Sequence, residues 1–173
     1  MLIQRGFTLI ELLITIAIVA ILAALVAPSF KVMLANAQIR TAAQASFDGL
    51  QLARVEAIRR NQRVIFTKGT QSDWNVKVES GGATVQARSS AEGSPAVNIV
   101  ATPSGATKVT FDGLGRVKAN TDASSSISQL DADVPVSLIP AASSRELRIT
   151  ISGGGAIRLC DPNAATGSAT ACS

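Results

Sequence analysis

The sequence predicts an α+β protein in which one long N-terminal helix carries an antiparallel β-sheet head. Three observations lead there. An apolar run fills residues 12–27, residues 29–62 keep helical spacing, and beyond residue 62 the pattern changes to period-two alternation broken by glycines. The 173 residues allow one modest domain plus an appendage, enough to bury a real core.

The chain opens with a short stretch, residues 1–6, whose one charged side chain is Arg5, followed by Phe7-Thr8-Leu9-Ile10-Glu11 and the apolar run. It begins like a secretion signal. An ordinary signal would be cut after the apolar stretch at small residues, and Ala23-Ala24 or Val26-Ala27 offer such places. Residues 7–27 would form a helix of about 31 Å, a membrane span by length. Its sole charged side chain is Glu11. A carboxylate within a bilayer costs about 2.5–3.5 kcal/mol on insertion scales, so Glu11 either has a partner or snorkels to the interface. Pro28 closes the run, either as a bend or as a plain stop, because it cannot donate a helical hydrogen bond.

Gly6-Phe7-Thr8-Leu9-Ile10-Glu11-Leu12-Leu13 resembles the cleavage and methylation motif of type IV prepilins and pseudopilins. The resemblance implies that a prepilin peptidase cuts between Gly6 and Phe7, where a residue without a side chain is required, and methylates the new amine of Phe7. The apolar helix is then retained. Glu11 lies four residues after Phe7, on the same helix face. In the family such a carboxylate pairs with the ammonium of the first residue of a neighbouring subunit in the filament core. The expected division is a leader at 1–6, a transmembrane and filament-core helix at 7–28, and an amphipathic helix with a β-sheet head at 29–173. Such a subunit waits in the inner membrane as a single-pass protein, its head in the periplasm, and then joins other pilins or pseudopilins in a filament.

Within 29–62, Ala43, Phe47, Leu50, Ala53 and Ala57 recur every three or four residues and make one apolar stripe. Lys31, Gln38, Arg40, Gln44, Gln51 and Arg59 fall on the other faces. Arg54, Arg59, Arg60 and Arg63 gather towards the helix end, where positive charge suits the macrodipole. Strand-like alternation follows at 63–68, 74–79, 84–88, 96–101, 108–111, 115–119, 146–151 and 156–160, read as one antiparallel sheet. The stretch 120–144, with Ser124-Ser125-Ser126 and two prolines, reads as a long exposed loop. Asp112-Gly113-Leu114-Gly115-Arg116-Val117 and Gly154-Gly155-Ala156-Ile157-Arg158-Leu159-Cys160-Asp161-Pro162 resemble the GspH/FimT-type group of minor pilins and pseudopilins.

The chain has no histidine, which removes the commonest general base and metal ligand. What remains for catalysis is carboxylate pairs or Ser–Lys arrangements. Asp131 and Asp133 sit in the polar stretch, and Ser124–Ser126 has no lysine within a few residues. No enzyme, cofactor or metal is expected. Cys160 and Cys172, an isolated close pair in an exported domain, read as a disulfide closing a short loop, with two free thiols as the alternative.

Lys+Arg 16 against Asp+Glu 12 leaves a net charge of +4, a mild excess. Some pilus members take up DNA through a Gly-Arg-x-Arg segment near the C-terminus. Here Gly155-Ala156-Ile157-Arg158 lacks the first arginine, while Gly115-Arg116-Val117-Lys118 imitates the pattern earlier. Arg116, Lys118 and Arg158 are therefore weak DNA contacts at best, and solvated strand charges are the favoured reading. The resemblance leaves a minor pilin of a type IV pilus first, an H-type minor pseudopilin of type II secretion second, and a DNA-binding minor pilin third. A major pilin, which can also end in a Cys loop, is a further rival.

Overall fold

The computed structural model describes residues 7–172. One helix, α1 (Leu9–Arg60), is followed by nine short strands. Thr8 caps the helix, its hydroxyl accepting from the Glu11 N–H at 3.3 Å. Asn61 ends it in the left-handed conformation, its N–H and that of Gln62 closing on the last carbonyls. Pro28 sits inside the helix. The axis turns by 44° between Leu9–Leu25 and Ala27–Arg60. The proline has no N–H for the Ala24 carbonyl and its ring crowds that turn, which accounts for a kink just upstream.

The predicted single sheet is two. The first has the order β3-β2-β1-β5-β6, built from β1 (Val64–Lys68), β2 (Trp74–Val78), β3 (Thr84–Arg88), β5 (Lys108–Phe111) and β6 (Val117–Lys118). The second has the order β4-β7-β8-β9, from β4 (Asn98–Thr102), β7 (Gln129–Asp133), β8 (Leu147–Ile151) and β9 (Ile157–Cys160). All the pairings within both sheets are antiparallel. Residues 126–128 join the sheets: the Ile127 N–H donates to Lys108 of β5, and the Ser128 carbonyl accepts from Ile151 of β8.

β7 corrects the expected exposed loop at 120–144. Ile127, Leu130, Ala132, Val134 and Ile139 are all buried, and Asp131 and Asp133 occupy the opposite face of the same strand. Neither carboxylate is loose loop solvation. Asp131 accepts from Arg148 Nε at 2.6 Å across the strand pair, and Asp133 accepts from the Ser144 hydroxyl. The start of the stretch also folds inward, where Asn120 is buried and accepts from the Thr110 hydroxyl of β5 at 2.8 Å.

The second half of α1 lies across both sheets. Its buried face runs through Ala35, Ile39, Ala42, Ala43, Ser46, Leu50, Ala53 and Ala57, with Phe47 packed at its edge. That face is mostly alanine because the strands come close. A Cβ on Gly49 would lie 3.0 Å from the Trp74 ring and 3.1 Å from the Phe66 ring. Those two rings stack at 5.9 Å and, with Val64, Val76, Val109 and Phe111, fill the space under the helix.

Candidate functional site

The first turns of α1 carry the residues singled out for processing and assembly. Gly6 and the leader at 1–6 lie outside the described residues. Phe7 is 84% exposed at the start of the structure, and Glu11 stands one turn on, also exposed. Thr8 and Glu11 hold the N-cap and N3 positions, the spacing of a capping box, and the carboxylate lies in the first turn where the helix macrodipole favours it. That local role of Glu11 was readable in Thr8-x-x-Glu11 and was overlooked beside the family motif.

Among the described side chains from Phe7 to Leu34, the large apolar ones are exposed, apart from Val32, which packs partly against the core. The sheets cover the helix only from Ala35 onwards. Among the described residues no single helix is long and apolar enough to cross a membrane; the bent pair Leu9–Leu25 and Ala27–Arg60 passes that test together.

The arginines near the helix end do not form a common patch. Arg59 and Arg60 both reach back to Glu56, at 2.8 and 2.7 Å. Hydrogen bonds from Arg59, then Arg60, hold the Glu56 carboxyl below the usual range against the opposing effect of burial. Arg63 pairs with Glu79 at 3.2 Å and donates to the Ala119 carbonyl. Arg54 Nε donates to the Gly115 carbonyl at 3.2 Å.

That last bond marks a junction. The turn at 112–116 and the turn at 152–155, from opposite sheets, meet over Arg54, and the Val117 N–H donates to the Gly153 carbonyl at 3.1 Å. Gly155 has φ +82°, and a Cβ there would land on the Gly115 carbonyl oxygen. The two glycine-rich segments thus clasp the sheets to the helix, a role their sequence did not reveal. Asp112 organises the first turn, accepting from the Leu114 and Arg116 N–H groups at 2.9 Å. The Arg116 N–H, with burial opposing, holds its carboxyl below the usual range.

The three basic residues considered for DNA are not brought together on one strand. Arg116 lies in the β5–β6 turn with its guanidinium 3.4 Å from Asp112, and Lys118 is exposed on edge strand β6. Arg158 is on β9, the edge of the other sheet, opposite Thr150. Arg148 is engaged by Asp131, and Arg145 sits in the segment before β8, its N–H donating to Asn36 Oδ1 of α1 at 2.8 Å. Beyond β9, Cys160 and Cys172 are joined by a disulfide, and Asp161 pairs with Ala171 at the base of the loop they close.

A long capped helix, bare and apolar over its first half and sheathed by two antiparallel sheets over its second, is the architecture of a type IV pilin-like subunit. The chain belongs to the family described as type II transport protein GspH, whose profile matches residues 42–155, and the prokaryotic N-terminal methylation motif matches residues 1–27. It is 35% identical over 96 residues to the type IV major fimbrial protein FimA of Dichelobacter nodosus, covering 56% of this chain and 57% of that one. It thus spans little more than half the length of that curated relative. The crystal structure of the type IV minor pilin FimU of Pseudomonas aeruginosa superposes with a TM-score of 0.52 at 17% identity, over 75% of this chain and 93% of FimU. The minor pseudopilin EpsH from the type 2 secretion system of Vibrio cholerae gives 0.51 at 15% identity, over 73% and 99%. At these identities the structural likeness establishes the α+β pilin fold. The family is one of structural pilins.

Proposed function

We propose that the chain is a minor pilin of a type IV pilus, made as a prepilin. A prepilin peptidase cuts between Gly6 and Phe7 and methylates the amine of Phe7. Residues 7–27 then hold the subunit in the inner membrane, head in the periplasm, until it is drawn into the filament. The observation that carries this reading is the methylation motif running without a break into a helix whose large apolar side chains from Leu9 to Leu25 are exposed. Only lipid or neighbouring helices of the same kind can cover that surface. The test is intact mass and N-terminal sequencing of protein from its native membrane. N-methylated Phe7 is expected; a chain starting beyond Ala23, or still at Met1, refutes the reading.

Glu11 is the residue assigned to assembly. Replacing it by alanine leaves cleavage and membrane insertion intact and lowers incorporation into filaments about tenfold or more, because the buried ammonium of Phe7 on the next subunit loses its counter-ion. Normal incorporation of Glu11→Ala, measured in sheared filament fractions, refutes the pairing.

The family profile and the fold of EpsH favour a second reading, an H-type minor pseudopilin of type II secretion. The two separate by location: surface pili contain the minor pilin, whereas the pseudopilin stays within the envelope.

A further inference from the structure

Where the helix leaves its apolar half, the head presents a surface that neither the core nor the filament motif explains. Pro28, Ser29, Lys31 and Val32 face Leu138, Ile139, Pro140 and Ser143 across a cleft of about 340 Å³. The segment before them makes a tight turn, the Leu138 N–H donating to the Pro135 carbonyl at 2.9 Å. That puts Val136 at the tip, 74% exposed. Leu138 is exposed beside it, and Phe30, Met33 and Leu34 are exposed on the adjoining turn of helix.

Three basic side chains lie on the segments that form this pole. Residues 28–41 and 134–145 carry Lys31, Arg40 and Arg145 and no carboxylate. Carboxylates stand close by as well: Glu146 follows Arg145, Asp133 accepts from Ser144 and from the Val134 N–H, and Asp161 lines the neighbouring groove with Arg40 and Arg145. Asn36 fastens the whole segment to the helix, donating to the Ser143 carbonyl at 3.0 Å and accepting from the Arg145 N–H.

We propose that the 135–140 turn and the Phe30–Leu34 collar form a foot by which the head rests on the anionic phospholipid surface of the membrane that holds its helix. The inference rests on the reading of residues 7–27 as a membrane anchor. Ser29 to Val32 lie within about 8 Å of the end of that span along the helix, inside the headgroup zone. The cleft brings Leu138 to the same level. Apolar tips entering the acyl boundary, with lysine and arginine at the phosphates, is how interfacial segments bind. The foot fixes the orientation of the head before assembly and comes off the bilayer when the subunit is extracted.

The test uses the full chain in phosphatidylethanolamine/phosphatidylglycerol vesicles with a polarity-sensitive fluorophore on one introduced cysteine, the native pair being tied in its disulfide. Val136→Cys is compared with Leu114→Cys, which is 69% exposed in the 112–116 turn that meets Arg54 near the end of α1, and with Val19→Cys in the anchor. Headgroup-nitroxide lipid should quench the label at 136 about threefold more than at 114, and Lys31→Gln with Arg145→Gln should remove at least about half of that excess. Equal quenching at 136 and 114 with the Val19 label in lipid overturns the foot and leaves the anchor standing. A Val19 label in water overturns both. Protection at 136 that grows with the protein-to-lipid ratio means a second copy covers the surface and also overturns the proposal.

Discussion

Gly155 is the position where a single methyl group should do most harm to the head. Alanine there would hold a left-handed backbone conformation, at about 1–2 kcal/mol. Its Cβ would also displace the Gly115 carbonyl, the acceptor for Arg54, and a lost hydrogen bond to a charged donor in a partly buried site costs about 1.5–3 kcal/mol. Together these give about 2.5–5 kcal/mol, a large part of the stability of an ordinary domain. Trp74, the sole tryptophan, is 4% exposed and stacked on Phe66, so its fluorescence follows unfolding of the head alone. With a urea dependence of about 2 kcal/mol per molar, the midpoint for Gly155→Ala should fall by about 1.2–2.5 M. Gly153→Ala is the control, since a Cβ there meets nothing within 4 Å, and it should stay within about 0.5 kcal/mol of the native protein. Matching midpoints for Gly155→Ala and the native protein would refute the clasp.

Gly49→Ala pushes a Cβ against the Trp74 and Phe66 rings and should cost about 1–3 kcal/mol, with a shifted Trp74 emission maximum in the folded state. Glu56→Gln removes the charge that Arg59 and Arg60 share. Because the folded carboxyl titrates below the ordinary glutamate value, the stability it lends is fully present above that ordinary value and disappears as the pH falls through the depressed one. Native and Glu56→Gln proteins should therefore differ in urea midpoint at neutral pH and converge in acid. Replacing Cys160 and Cys172 by serine opens a loop of sequence separation 12, worth about 3 kcal/mol in chain entropy, and should expose residues 161–171 to protease under oxidising conditions. Equal digestion of both proteins would count against a stabilising role.

The helix was legible because its signals are local. Apolar spacing from Ala43 to Ala57 depends only on 3.6-residue periodicity, and the same holds for the punctuated strands β1 and β2. β7 was hidden by its own outer face. Leu130, Ala132 and Val134 alternate as a half-buried strand should, but Asp131 and Asp133 between them are residues strands disfavour, and the arginine that makes Asp131 acceptable lies 17 residues on. The two-sheet division was out of reach for a related reason, since it depends on how residues 126–128 bridge Lys108 and Ile151. Asn36 looked like one more polar helix residue, and its partners are 107 and 109 residues away. At the candidate site, the motif around Gly6 to Glu11 was plain, whereas the turns at 112–116 and 152–155 showed their glycines without showing that they touch.

The alanine-lined face of the helix also bears on how such a subunit can diversify. Where Ala42, Ala43, Ala53 and Gly49 meet the sheets, almost any substitution is an enlargement, and overpacking costs about 1–3 kcal/mol each time. The outward face through Gln44, Asp48, Val55 and Arg59 carries no such restriction. A lineage can therefore rewrite what the helix shows to its neighbours while leaving the fold untouched, acquiring new partners by drift on one side of a cylinder whose other side is frozen.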